Sequence, residues 1–98
     1  MTSERTALLQ LKKSLIHNGR RLCFIRDYTV NGEAACIEIC MMRLADKSAY
    51  RVWHHDFLEK FVDVREKHFH YENFEFDTFE HAIEFVEDKL GVSLSELS

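Results

Sequence analysis

Proline is absent from the 98 residues, and glycine and cysteine occur only three times each. Without proline or glycine-rich stretches there is no candidate linker, and a chain of this length holds one hydrophobic core. We therefore expect a single domain over residues 1–98. An odd number of cysteines cannot pair completely within one chain, which is typical of reduced thiols. Cys23, Cys36 and Cys40 are expected to be packing residues.

Long apolar runs are also missing, since the longest uninterrupted ones, among them residues 34–37 and 39–42, contain four residues each. A helix that crosses a bilayer needs ~20, so the sequence predicts no transmembrane segment and no membrane partner. Residues 1–5 are polar and lack the apolar core of a secretory signal. Together with the cysteine count, these features predict a cytoplasmic protein.

The pattern of apolar residues predicts a helix at each end of the chain. Residues 3–18 carry Leu8, Leu11 and Leu15 at helical spacing, with Ser3 as N-cap and a glycine at the end. Residues 78–90 have an apolar stripe at the same spacing, with Asp77 as the expected N-cap. The similar capping pattern at Asp56 predicts a shorter helix over residues 57–65.

Strands are predicted between these helices. Asn31-Gly32 is the dipeptide of a two-residue type I′ hairpin, which fixes the register so that Cys23 faces Cys40. A second turn at residues 45–48 leads to a third strand and places Trp53 opposite Cys40. Residues 67–76 alternate loosely and are interpreted as a fourth strand or a loop. The predicted fold is α+β: an N-terminal helix, a three- or four-stranded antiparallel sheet, and one or two C-terminal helices.

One face of this sheet is mostly apolar and is predicted to be the core. The opposite, open face carries a mixed set of side chains that we interpret as an interaction surface: Ile25, Glu38, Cys40, Met42, Arg51, Trp53 and His55. A surface this apolar is usually covered, and Trp, Met and Arg are enriched where proteins meet. Either a partner covers this face, or residues 57–76 fold across it.

Charge is distributed unevenly along the chain. Residues 1–30 contain six basic and two acidic side chains, whereas residues 56–98 contain four basic and twelve acidic ones. Such a field steers association with basic partners, although glutamate-rich helices also serve solubility alone. The predicted acidic surface consists of Glu72, Glu75, Asp77, Glu80, Glu84, Glu87 and Asp88.

Histidine is the one compositional outlier, with six residues. His68 and His70 would point the same way from an extended segment, and they are weak candidates for metal ligands. A zinc or iron site needs three or four ligands, and no third residue has a fixed spacing from this pair. The sequence has no hydrolase motif and no phosphate-binding loop. We therefore predict no catalytic residues and no cofactor.

Nucleic acid is an unfavourable partner. The order of elements is similar to that of the double-stranded RNA-binding domain, which meets phosphates with lysines at the start of its last helix. Here Asp77, Glu80 and Glu84 occupy that region and would repel phosphate. In size and acidity the chain is similar to phage-encoded inhibitors of bacterial defence nucleases and to toxin-immunity proteins, although no specific motif supports this.

The functional hypothesis from sequence is a non-catalytic protein-binding module, an inhibitor or adaptor of a basic or nucleic-acid-binding protein. Two alternatives stay open. One is a structural homodimer that packs two open faces together. The other is a histidine-based metal-binding protein or a small metal-dependent enzyme.

Overall fold

A computed structural model describes residues 3–98 and shows an α+β fold with two layers. A four-stranded antiparallel sheet has the strand order β1-β2-β3-β4, and both helices pack on the same face of it. The elements are α1 (Glu4–His17), β1 (Leu22–Val30), β2 (Glu33–Leu44), β3 (Ala49–Leu58), β4 (His70–Phe76) and α2 (Phe79–Asp88). None of the helices in residues 3–98 is long and apolar enough to cross a membrane.

The predicted hairpins are confirmed. Asn31 and Gly32 have φ angles of 50° and 81°, as a type I′ turn requires. The turn places Cys23 opposite Cys40, and the next hairpin places Cys40 opposite Trp53. Residues 70–76, part of the segment interpreted from sequence as a strand or a loop, form the fourth strand, which pairs with β3. Because side chains alternate along a strand, this register fixes which residues face the helices.

The core lies between the helices and the predicted sheet face. Leu22, Met41 and Val52 are buried from the sheet side, and Ile83 is buried from α2. The apolar stripe predicted for α1 is partly wrong, because Leu11 is 55% exposed. The helix packs through a neighbouring stripe instead, formed by Leu8, Leu9, Leu15 and Ile16. Lys12 completes this stripe and donates a hydrogen bond to the backbone carbonyl of Leu97.

The helix predicted over residues 57–65 is wrong. β3 continues to Leu58, and the connection to β4 contains only two 3₁₀ turns, Glu59–Phe61 and Arg65–Lys67. Asp56, the expected N-cap, instead accepts a hydrogen bond from the hydroxyl of Tyr28. Phe57 is buried opposite Cys36 in the β2–β3 ladder, so strand pairing takes precedence over the capping pattern.

The C-terminal region differs from the prediction in one detail. Thr78, and not Asp77, is the N-cap of α2, and its hydroxyl accepts from the amide of His81.

After α2 the chain returns to the free edge of β1, where Ser98 and Cys23 exchange backbone hydrogen bonds of 3.0 and 2.8 Å. Leu97 is buried at this point. The edge of β1 is therefore partly paired, which limits strand addition there.

Candidate functional site

The open face of the sheet contains the predicted interaction surface. Ladder pairing sets Cys40 beside Trp53, Glu38 beside His55 and Met42 beside Arg51. Ile25 lies next to Glu38 on β1 and is 60% exposed. Cys40 differs from the others because it is buried. The structure thus places all seven predicted residues on one face and leaves six of them accessible to some degree.

Trp53 lies near the centre of this face and is partly exposed. The guanidinium carbon of Arg21 lies 5.7 Å from the centroid of the indole ring, a cation–π contact. The imidazole of His55 lies on the other side, with 6.3 Å between ring centroids. These two side chains flank the indole. A tryptophan has only two rotatable side-chain bonds, so it offers a large contact area at a low cost in conformational entropy.

The connection between β3 and β4 covers one end of the open face. Its residue His68 stacks on Phe57 at 4.6 Å between ring centroids, and Phe57 is buried. Glu59–Phe61 lies against β2 nearby, and Cys36 is buried there. Of the two explanations left open by the sequence, internal covering thus accounts for the end around Phe57. At the other end, Ile25 is 60% exposed, and Trp53 is partly exposed beside Arg21.

A cleft of about 340 Å³ lies between the covered and uncovered parts of the open face. The ring of Tyr71 stacks on His55 at 4.3 Å between centroids, with 7° between the planes. His68 stands beside them, 6.3 Å from His55. The residues that line the cleft are Glu38, His55, Phe57, Val62, Asp63, Arg65, His68 and Tyr71.

Two histidine nitrogens in the cleft are buried and have no hydrogen-bond partner within the described residues. They are Nε2 of His55 and Nδ1 of His68. Nε2 of His68 lies 3.0 Å and 3.2 Å from the backbone carbonyl oxygens of Phe61 and Val62. Carbonyls only accept, so Nε2 carries a hydrogen and donates it to them. The cleft therefore contains two buried nitrogens that an incoming polar group could partner.

Burial also sets the protonation of the titratable groups on this face. It lowers the pKa of His55, and the nearby His68 lowers it further. Burial raises the pKa of the Cys36 thiol to about 11 and raises the pKa of Cys40 as well, where the Cys23 thiol adds to the effect. At neutral pH these thiols stay protonated. This state disfavours a cysteine nucleophile, because the thiolate is the reactive form.

The histidines do not meet as predicted. His68 belongs to the connection and faces the cleft, whereas His70 begins β4 and lies on the helix side, so the two do not converge. The adjacent residues His54 and His55 also point to opposite faces. His54 stacks on His70 at 4.6 Å between ring centroids, and Glu72 lies beside both. Sequence reasoning missed this grouping, because it depends on the pairing of β3 with β4.

The predicted acidic surface is divided by internal ion pairs. Glu87 binds Arg5 and Glu80 binds Lys13, so acidic side chains of α2 meet basic side chains of α1. Glu75 lies near Lys47 and Arg51 on the open face, and Glu72 lies near His54 and His70 on the other. Within residues 3–98, three of the seven acids form no ion pair: Asp77, Glu84 and Asp88.

Comparisons of the chain with models of known protein families, with curated proteins and with solved structures gave no match.

Proposed function

We propose that the protein is a non-catalytic, cytoplasmic protein-binding module whose open face docks a basic partner protein. It would act as an inhibitor or adaptor by occupying a surface of that partner. One observation carries this proposal: both helices pack on the same side of the sheet, which leaves Ile25 exposed and Trp53 partly exposed on the other. We call Ile25 and Trp53, with the charged side chains around them, the strip; an accessible apolar patch with a polar rim is typical of a protein-binding surface.

The composition of the strip supports a protein partner. Trp53 is a large aromatic anchor, and residues of this type supply much of the binding energy at interfaces. Arg51 and Glu38 form a polar rim around it. Arg51 lies 3.4 Å from Glu75, which adds an acidic group to this rim.

The cleft beside Trp53 adds a concave element to this surface. Its two buried nitrogens without a partner, on His55 and His68, would be satisfied by a polar side chain or a backbone amide of the bound protein. A buried polar atom without a hydrogen bond is uncommon in native proteins. The cleft would therefore receive a polar group of the partner next to the apolar anchor.

The charge of the protein favours a basic partner. The net charge is −4, and Asp77, Glu84 and Asp88 are not neutralised by ion pairs within residues 3–98. Glu84 and Asp88 belong to α2 and so lie on the side opposite Trp53. They would contribute through the net field of the protein, which steers a basic partner before contact and weakens as salt increases.

The test compares two apolar side chains of similar exposure on opposite sides of the protein. Ile25 is 60% exposed on the open face, and Leu11 is 55% exposed on α1. The full-length protein, Ile25→Asp and Leu11→Asp serve as baits in a lysate of the source organism. The captured protein is then purified, and its affinity for each bait is measured by calorimetry at two salt concentrations.

We expect Ile25→Asp to weaken binding by about tenfold or more, because it replaces an apolar contact with a carboxylate that the bound partner would desolvate. Leu11→Asp should bind like the wild type, and affinity should fall as salt increases. Equal losses for both variants, or binding that salt does not affect, would contradict the proposal. A dimeric mass that Ile25→Asp converts to a monomer would favour the structural homodimer instead.

A further inference from the structure

The helix side of the sheet contains a second cluster of side chains, distant from the open face. His54 on β3 and Glu72 on β4 are direct partners in the ladder, and His70 lies two residues before Glu72 on the same face. The side chains of His70 and Glu72 are about half exposed, whereas the His54 side chain is largely buried. Strand pairing thus brings two imidazoles and one carboxylate together.

The distances within this cluster are close to those of a metal site. Nδ1 of His54 lies 4.0 Å from one carboxylate oxygen of Glu72, and Nδ1 of His70 lies 3.8 Å from the other. One ligand atom from each residue can be chosen so that all three lie within 4.8 Å of one another. Ligand atoms around a tetrahedral zinc ion are ~3.4 Å apart. Small rotations of the exposed His70 and Glu72 side chains would close this difference.

His54 is the fixed member of the cluster. Its side chain is only 12% exposed, and its buried Nδ1 has no hydrogen-bond partner within residues 3–98. This nitrogen faces Glu72 across the ladder, and coordination to a metal would give it a partner.

We propose that His54, His70 and Glu72 form a binding site for one divalent transition-metal ion, with zinc as the favoured ion. Two imidazole nitrogens and one carboxylate oxygen suit zinc, and they leave a coordination position for water. This inference does not rest on the proposed protein-binding function, because the two sites lie on opposite faces of the sheet.

A neighbouring carboxylate can act as an outer partner of this site. Asp56 is the ladder partner of His70 on the same face, and its side chain accepts a hydrogen bond from the hydroxyl of Tyr28. Carboxylates in this position orient metal-bound imidazoles and increase their basicity. The Tyr28 hydroxyl holds Asp56 in place, and burial together with this hydrogen bond raises the pKa of Tyr28 to about 12.

Titration of the full-length protein with Zn²⁺ in a calorimeter tests the proposal. We expect one ion per chain, and a loss of affinity of about tenfold or more in His70→Ala and in Glu72→Gln. Both residues are half exposed, so their replacement leaves the core intact. His81→Ala removes an exposed histidine from α2 and should bind like the wild type.

His68→Ala distinguishes this site from the cleft, because His68 faces His55 and not His54. Unchanged binding in this variant is expected. Zn²⁺ should also raise the melting temperature of the wild type but not that of Glu72→Gln. The proposal is overturned if Zn²⁺ does not bind, if His70→Ala binds as well as the wild type, or if His68→Ala and His81→Ala weaken binding as much as His70→Ala does.

Discussion

The structure assigns Glu87 to the stability of the fold, although the sequence placed it on an acidic docking surface. Its carboxylate accepts hydrogen bonds from both terminal nitrogens of Arg5 on α1, one of them at 3.0 Å. It also accepts from the backbone amide of Leu94 at 3.3 Å. Glu87 therefore connects both helices to the C-terminal segment. We expect Glu87→Ala to destabilise the protein.

The magnitude follows from these contacts. The Glu87 side chain is 22% exposed, and losing the acceptor of the partly buried Leu94 amide costs ~1 kcal/mol. The ion pair adds only a fraction more, because Arg5 is exposed and solvent screens the interaction. We therefore expect Glu87→Ala to lower the free energy of unfolding by ~1–2 kcal/mol. Glu84→Ala is the matched control on the same helix and should change it by less than ~0.5 kcal/mol.

Urea denaturation at pH 7 measures both variants, and its pH dependence checks the cause. Arg5 lowers the pKa of Glu87 in the folded protein, so the charged carboxylate stabilises the fold above the unfolded-state pKa. This contribution is lost as the pH falls through the lower, folded-state pKa. The difference between the wild type and Glu87→Gln should therefore shrink below about pH 4. Equal destabilisation by Glu87→Ala and Glu84→Ala at pH 7 would refute the reasoning.

Two further predictions concern the strands and the histidines. Phe57→Ala should destabilise the protein by ~3 kcal/mol in urea denaturation, because a buried ring is lost. Replacement of the exposed Val62 by alanine should cost less than ~0.5 kcal/mol. Similar costs for the two variants would contradict the burial of Phe57. Burial lowers the pKa values of His54 and His55, so the unfolded chain binds more protons below about pH 6.5. Stability should fall as the pH decreases from 6.5 to 5, and a double His54→Gln, His55→Gln variant should show a smaller fall; an equal one would contradict the assignment.

Local signals predicted those parts of the fold that depend on neighbouring residues. Asn31-Gly32 determines a turn with positive φ angles at both positions, and the two-residue loop then fixes every pair between β1 and β2. The faces of the sheet follow from this register by alternation. The seven residues of the predicted interaction surface are therefore found on one face.

The errors concern features that depend on distant contacts. The capping pattern at Asp56 predicts a helix. Instead, the Asp56 carboxylate accepts a hydrogen bond from the Tyr28 hydroxyl, and residues 57–58 continue β3 by pairing with β2. The cluster of His54, His70 and Glu72 requires the β3–β4 register, which no turn dipeptide specifies. Likewise, the pairing of acidic α2 with basic α1 appears only when the helices pack side by side.

Hydroxyl-radical footprinting of the complex with the captured partner tests most directly whether the open face is the docking surface. Trp53 and Met42 are oxidation-sensitive and partly exposed on this face. Leu11 is exposed on α1, on the other side of the sheet. The account predicts that the partner protects Trp53 and Met42 from oxidation and leaves Leu11 unchanged. Protection of Leu11 with unchanged oxidation of Trp53 and Met42 would contradict it.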